Sequence, residues 1–216
     1  MHSRDMESEQ QGLGGDHSIV ELEPDDLGGY ELFVTLGRLV TPRPVGWIST
    51  TSEDGQDNVA PYSFVTPASV DPPVVVFTAT DHQDGTMKDT ARNAIDTGEF
   101  VYNVFTAGLL EEMNDSAADV DVSEFEAADI KHTESEVVDP KRVVGCPAWL
   151  ECTVRETMEI EGTQVIFGDV EHLGIREDYL DDADLPDVEH IEQRVLGHLI
   201  DEHYTRMELL EKQQPE

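Results

Sequence analysis

The chain has 216 residues, 38% of them hydrophobic, and it carries 13 Lys and Arg against 48 Asp and Glu, a formal net charge of −35. A surface this acidic excludes nucleic acid and anionic membranes as partners, because both are bound through basic patches. No apolar run reaches the roughly 18 residues that a transmembrane helix needs, so none is predicted.

The acidic residues recur through nearly every predicted loop and helix face, for example at Asp119, Asp121 and Asp184, rather than forming a tail. We interpret this as adaptation to the salt-saturated cytoplasm of an extreme halophile, because about 1 M salt shortens the Debye length to roughly 3 Å. Cys146 and Cys152 are placed in one strand, too far apart for a disulfide, and are predicted to be reduced core thiols. Reduced thiols also favour a cytoplasmic location.

Residues 1–18 are polar and Gly-containing and lack the apolar segment of a signal peptide. We predict that they are disordered and that residues 19–212 form a single domain. Residues 12–15 superficially resemble a dinucleotide-binding loop, but no strand precedes them and no apolar helix follows. Tyr30 to Leu39 is predicted to be a short helix that leads into the first strand.

The segment that follows predicts a β-hairpin. A β-branched run begins after Pro44 and ends in hydroxyl groups, a polar turn contains Gly55, and a second strand runs from Asn58 to Phe64. The hydroxyl groups of Ser49 and Thr50 lie near the turn, where they could donate hydrogen bonds to an anion.

A buried strand and a helix complete this scaffold around a pocket. The apolar run from Val74 to Phe77 is short enough for a strand buried on both faces. Lys88 is one of four lysines and opens a predicted helix that ends near Gly98. Because helix N-termini bind anions, Lys88 and Thr90 are candidates for a phosphate site; the alternative is that Lys88 is a solvated surface lysine.

The remaining predicted elements contain fewer candidate functional residues. Thr106 to Asn114 reads as a helix, and residues 115–141 are either a partial lid or a solvated acidic excursion. Strands are predicted at 148–159 and 164–172 with a turn at Gly162, followed by an acidic loop and a final amphipathic segment from 188 to 199. On a helix His198 and His203 would point apart, so no metal site is predicted there.

The ordered set of motifs resembles the flavin reductase-like family of FMN-binding split barrels, which includes flavoredoxins and the reductase components of two-component flavin monooxygenases. The resemblance covers about residues 20 to 207. It is carried by Pro42-Arg43-Pro44-Val45, Trp47, Ser49-Thr50, Asn58, Ala60-Pro61-Tyr62-Ser63-Phe64, Asp71-Pro72-Pro73, Lys88-Asp89-Thr90, Asn93 and Gly98-Glu99-Phe100-Val101 with Asn103. One departure is Thr66, where many members of the family have Asn.

The resemblance implies a mainly β, Greek-key-like split barrel with flanking helices that binds FMN. It assigns the flavin phosphate to Lys88, Thr90, Ser49 and Thr50, with Arg43 as a further candidate. The ring would lie along the strand from Asn58 to Phe64. The full set of cofactor-binding candidates is Arg43, Trp47, Ser49, Thr50, Asn58, Ala60, Tyr62, Ser63, Phe64, Thr78, Lys88, Thr90 and Asn103.

Several alternatives stay open at this point. Trp47 is either a cavity residue or ordinary core, Asp89 either touches ligand or braces Lys88, and His198 is either near the flavin or a packing residue. No catalytic residue is assigned, because the flavin itself carries the chemistry.

The resemblance implies an FMN-dependent NAD(P)H oxidoreductase that forms a homodimer and passes electrons to a redox protein or monooxygenase. The alternatives are a flavoredoxin-like electron carrier with little NAD(P)H activity and a flavin-free structural descendant.

Overall fold

The computed structural model describes residues 18–118, 120, 122–187, 196–200 and 203–206. The chain divides after Leu36 into two compact units. The described part of the first unit contains a 3-10 turn at Pro24–Asp26 and the start of helix α1, Gly29–Leu39. This helix confirms the one predicted from Tyr30 to Leu39. The predicted disorder of residues 1–18 concerns residues that, except for Ser18, lie outside the described part, and the domain bounds stay a prediction.

The second unit is built on one seven-stranded antiparallel sheet. Its strands are β1 Gly46–Thr51, β2 Asp57–Tyr62, β3 Val65–Val70, β4 Pro73–Thr80, β5 Glu99–Val104, β8 Ala148–Ile160 and β9 Thr163–Ile175. Their order across the sheet is β2-β1-β5-β8-β9-β4-β3. Two small hairpins accompany it: β6 His132–Thr133 with β7 Arg142–Val143, and β10 Leu196–Ile200 with β11 His203–Arg206.

Short helices flank the sheet. They are α2 Asp89–Thr97, α3 Leu110–Asp115 and α4 Glu124–Ala127, with 3-10 turns at Ala107–Leu109 and Glu177–Tyr179. The architecture confirms the mainly β prediction with flanking helices. It also confirms the β1–β2 hairpin, the buried strand after Pro72 and the two long strands joined at Gly162, whose φ of 78° suits a tight turn.

The two faces of the sheet bury two separate hydrophobic clusters, because side chains alternate along each strand. One cluster surrounds Phe77 and Phe100, whose ring centroids are 5.1 Å apart, and it includes Ala91 and Ala94 of α2. The ring centroid of Tyr62 of β2 also lies 5.4 Å from that of Phe77 of β4, so the edge strand β2 meets β4, the neighbour of the other edge strand, across this core.

The second cluster lies on the other face of the sheet. It packs Trp47 and Phe105 against Met113 of α3 and Phe125 of α4. Residues 115–141 therefore include anchored, buried side chains and are not wholly a solvated acidic excursion.

Three details differ from the sequence predictions. The strand predicted from Asn58 to Phe64 ends at Tyr62, and an unpredicted strand, β3, begins at Val65. Cys146 precedes β8 rather than sharing a strand with Cys152, although both are buried free thiols as predicted. Burial raises the pKa of each thiol, so both stay protonated.

The end of the chain also differs from its prediction. Of the final amphipathic segment, residues 188–195 lie outside the described part and the rest is the strand β10.

Candidate functional site

The start of α2 places polar groups beside the β1–β2 hairpin, as the sequence predicts. Lys88 is the N-cap residue with an extended backbone, and Gly98 ends the helix with a left-handed φ of 77°. Because the first amide groups of a helix have no acceptor within it, they can donate to an anion. Asp89 forms an ion pair with Arg92, one turn further along the same helix.

A cavity of about 120 Å³ lies between this helix start and β2. Asn58, Ala60 and Tyr62 line it from β2, and Lys88 and Thr90 line it from α2. Five of the predicted cofactor-binding residues are thus brought together on one cavity wall.

The opposite wall of the smaller cavity comes from α3 and α4. Ser116 and Ala117 follow the end of α3, and Glu124 is the first residue of α4. These residues belong to the acidic segment 115–141, for which the sequence left a partial lid and a solvated excursion as alternatives. The sequence did not predict that these residues line the cavity, because no local sequence pattern shows which distant loop will form a cavity wall.

A second cavity, of about 670 Å³, lies next to the first at the end of β2. Pro61, Tyr62 and Ala117 line both cavities, so we call the pair the groove, with the smaller cavity as its narrow end and the larger cavity as its broad end. The broad end is lined further by Val45, Ser63, Asn114, His198 and Tyr204.

His198 lines the broad end from β10, where its ring lies 5.1 Å from that of Tyr204. Tyr204 in turn donates a hydrogen bond of 3.1 Å to Asn114 of α3. His198 and His203 lie on the two strands of a hairpin, so the helical spacing used to separate them does not apply. Among the described residues, no group of three potential ligands could hold a metal ion.

A buried hydrogen-bond network underlies the narrow end. The Asn58 amide, oriented from its surroundings, accepts from the hydroxyls of Thr90 at 2.8 Å and Thr50 at 3.2 Å, and donates to Glu124 at 3.2 Å. Asn93 donates to Thr50 at 3.3 Å. The hydroxyl of Thr50 is thus committed to protein partners.

Tyr62 joins the same network. Burial raises its pKa to about 12, against the opposing effect of a hydrogen bond with Thr90. Its phenol therefore stays protonated and neutral at any physiological pH.

Ser49 and Thr50 point to opposite faces of β1, because neighbouring residues of a strand alternate. Ser49 donates to the backbone carbonyl of Lys141 and accepts from Asn103 at 3.1 Å. Asn103 also donates to the backbone of Trp47 at 2.8 Å and accepts from the Val143 amide at 2.7 Å. These buried groups tie β7 to the sheet.

Trp47 is fully buried in the second hydrophobic cluster. Its indole nitrogen donates to the Ser116 hydroxyl at 2.8 Å. Trp47 therefore contacts the groove wall at Ser116 from the hydrophobic core and does not itself line either cavity.

Arg43 lies near the broad end rather than beside Lys88. It is buried, and its guanidinium donates to the carbonyls of Gly37 and Val40 at the end of α1 and contacts His198 at 3.0 Å. Desolvation lowers the pKa of Arg43. These contacts give Arg43 a set of partners other than a phosphate.

The last candidates surround the turn after β2. The Ser63 hydroxyl accepts from Arg43 at 3.4 Å, and the ring of Phe64 lies under the same guanidinium at 5.4 Å. The Thr78 amide donates to the carbonyl of Phe64 at 3.0 Å. Thr66, the departure from the family pattern, is exposed on β3 and donates to the neighbouring Pro67 carbonyl at 3.4 Å.

Comparison with known proteins identifies the family of the chain that forms this groove. Residues 36–193 match the flavin reductase like domain. The chain belongs to the flavin reductase-like family. An uncharacterized relative of this flavin reductase-like protein, from Aquifex aeolicus (strain VF5), is 31% identical over 189 residues, 87% of this chain and 95% of the relative.

Solved structures of similar proteins share its fold. Nitrilotriacetate monooxygenase component B from Bacillus cereus matches with a TM-score of 0.84 and 23% identity, covering 92% of this chain and 100% of that one. The FMN-binding protein from Thermus thermophilus, with bound 1-cyclohex-2-enone, gives a TM-score of 0.71 and 16% identity, covering 91% and 99%. The split-barrel prediction is confirmed. Within its described part, no helix is both long and apolar enough to cross a bilayer.

Proposed function

We propose that this flavin reductase-like protein binds FMN and reduces it with NADH or NADPH. The observation that carries the proposal is the groove along β2, with Lys88 and the start of α2 at its narrow end. A phosphate dianion needs a cation and unpaired donors, whereas a flat ring needs a broad slot with a few polar edges.

The residues present fit FMN. At the narrow end, Lys88 and the first amides of α2 would hold the phosphate, while Ala60, Pro61 and Tyr62 would support the ribityl chain along β2. The broad end, at about 670 Å³, would take the ring, with Ser63 near its edge and His198 and Tyr204 opposite. Thr50 and Thr90 would support the phosphate end through their network with Asn58 rather than by donating to the phosphate.

When bound, FMN supplies an acceptor for the hydride of a nicotinamide. The residues of the chain would bind and orient the ring and exclude water around it, so that the nicotinamide stacks on its open face. No side chain is assigned as an acid or base, because hydride transfer depends on alignment.

We also propose that the protein works as a homodimer in the cytoplasm and passes electrons onward to a redox protein or monooxygenase. The fold that it shares with a monooxygenase component supports a role with a partner. The net charge of −35 supports adaptation to high salt.

An anaerobic titration in molar salt tests the proposal. The purified protein is loaded with FMN, freed of excess flavin and mixed with NADH or NADPH, while the visible absorbance of the oxidised flavin is followed. Bleaching within seconds to minutes is the expected result. Bleaching by dithionite alone would favour a flavoredoxin-like carrier, and failure to bind FMN at all would refute the proposal.

A further inference from the structure

One carboxylate lies in the narrow end of the groove together with Lys88. Glu124 lines the same cavity of about 120 Å³, half-buried, as the first residue of α4. The adjacent Phe125 is buried in the second hydrophobic cluster and holds α4 against the sheet.

Hydrogen bonds fix the direction of this carboxylate. Its Oε2 accepts from the Val59 amide at 3.4 Å and from the Asn58 side chain at 3.2 Å. Both donors belong to β2, the strand that forms the floor of the groove. Glu124 therefore points into the groove rather than into solvent, and its negative charge raises the pKa of Tyr62 nearby.

The charges around the narrow end do not favour a dianion strongly. Lys88 contributes one positive charge, and Glu124 contributes one negative charge to the same cavity. Asp89 also lines it, but its charge is offset by the ion pair with Arg92. A phosphate there is attracted by Lys88 and repelled by Glu124, whereas an unphosphorylated flavin experiences neither effect strongly.

We propose that Glu124 sets how strongly this site prefers FMN over riboflavin, by opposing the attraction of Lys88 for the phosphate. The inference rests on the proposed function, which puts the phosphate at the narrow end. It assigns Glu124 a role in cofactor specificity, distinct from the structural role of its neighbour Phe125.

The test compares Glu124→Gln with Glu126→Gln. The first substitution removes the charge while its amide oxygen still accepts from Val59. The second removes one charge from an exposed position on the same helix, so the change in net charge is matched. Binding of FMN and of riboflavin is measured by quenching of flavin fluorescence, at the lowest salt that preserves the fold and again in molar salt.

The expected result is that Glu124→Gln binds FMN about five- to tenfold more tightly in low salt and less than about twofold more tightly in molar salt. Riboflavin affinity should change by less than about twofold in both, and Glu126→Gln should match the wild type. If Glu124→Gln does not fold, Glu124→Leu provides the same change in charge with Phe125 unaltered.

Other outcomes overturn the inference in distinguishable ways. If the wild type binds FMN and the charge-neutral variant binds it equally or less tightly, Glu124 does not oppose the phosphate, while the proposed function stands. Equal tightening in both variants would mean that net charge, not position, is responsible. If the wild type binds neither flavin, the proposed function fails and this inference fails with it.

Discussion

The indole nitrogen of Trp47 donates a hydrogen bond of 2.8 Å to the hydroxyl of Ser116, which itself donates to the Met113 carbonyl at 2.8 Å. This pair connects the core strand β1 to the end of α3, the segment that lines both parts of the groove. A residue buried in the second hydrophobic cluster thereby positions one wall of the groove.

We predict that Trp47→Phe lowers flavin affinity as well as stability. The free energy of unfolding should fall by about 2 kcal/mol, because a hydrogen bond and part of a buried side chain are lost. Trp149→Phe is the matched control, since its indole also donates at 2.8 Å, to the Val143 carbonyl, away from the groove. Thermal melting should show lower stability in both variants, whereas flavin fluorescence titration should show weaker flavin binding only in Trp47→Phe. If Trp47→Phe binds flavin as tightly as the wild type, Trp47 does not position the groove wall.

Lys88→Gln should weaken FMN binding about tenfold in moderate salt, because the phosphate loses its closest cation. Riboflavin, which lacks the phosphate, should bind the variant nearly as well as the wild type. Lys131→Gln, at an exposed lysine, serves as the control for net charge. The same decrease for both flavins would place the phosphate elsewhere.

Arg43→Met is expected to destabilise the protein without changing the ratio of FMN to riboflavin affinity. The variant leaves the carbonyls of Gly37 and Val40 without their donor, at a cost of about 2–4 kcal/mol. Chemical denaturation measures the first effect and parallel flavin titrations the second. A selective loss of FMN binding would instead make Arg43 a phosphate ligand.

We predict that Glu151 makes the stability of the protein depend on pH. Burial acts to raise its pKa, but hydrogen bonds from the Glu136 and Val137 amides and from Arg142 outweigh it, so the pKa lies below the usual value. Because its pKa is lower in the folded than in the unfolded protein, the Glu151 carboxylate stabilises the fold at pH values above the unfolded pKa of about 4.3. This stabilisation is lost as the pH falls through the pKa of the folded state.

The variant Glu151→Gln should therefore be less stable than the wild type at neutral pH, by about 3 kcal/mol, since Arg142 loses the closer of its two carboxylate partners. The difference in melting temperature between the two proteins should shrink as the pH is lowered below about 4. A difference that stays constant with pH would show that the charge of Glu151 is not what stabilises the fold.

Salt should stabilise this protein strongly. At a net charge of −35, repulsion among surface carboxylates opposes the compact state until about 1 M salt screens it. Melting temperature is therefore expected to rise steeply with potassium chloride and much less with glycerol at matched osmolarity. Full stability after dialysis into low salt would count against adaptation to a saline cytoplasm.

The sequence by itself determined the elements that depend on local pattern. The hairpin at Gly55, the helix that begins after Lys88 and the strands joined at Gly162 follow from turn residues, capping positions and alternating apolar side chains, all of which act between near neighbours. The family resemblance followed from the same short motifs in order.

The tertiary structure alone decided which of those residues meet. Ser49 and Thr50 are adjacent in sequence but point to opposite faces of β1, and Arg43 binds the end of α1 instead of joining Lys88. Glu124 and Ser116 reach the groove only because Phe125 and Trp47 pack into a shared core. Burial and long-range packing depend on contacts between segments that are far apart in the chain, and these contacts cannot be predicted from local sequence patterns.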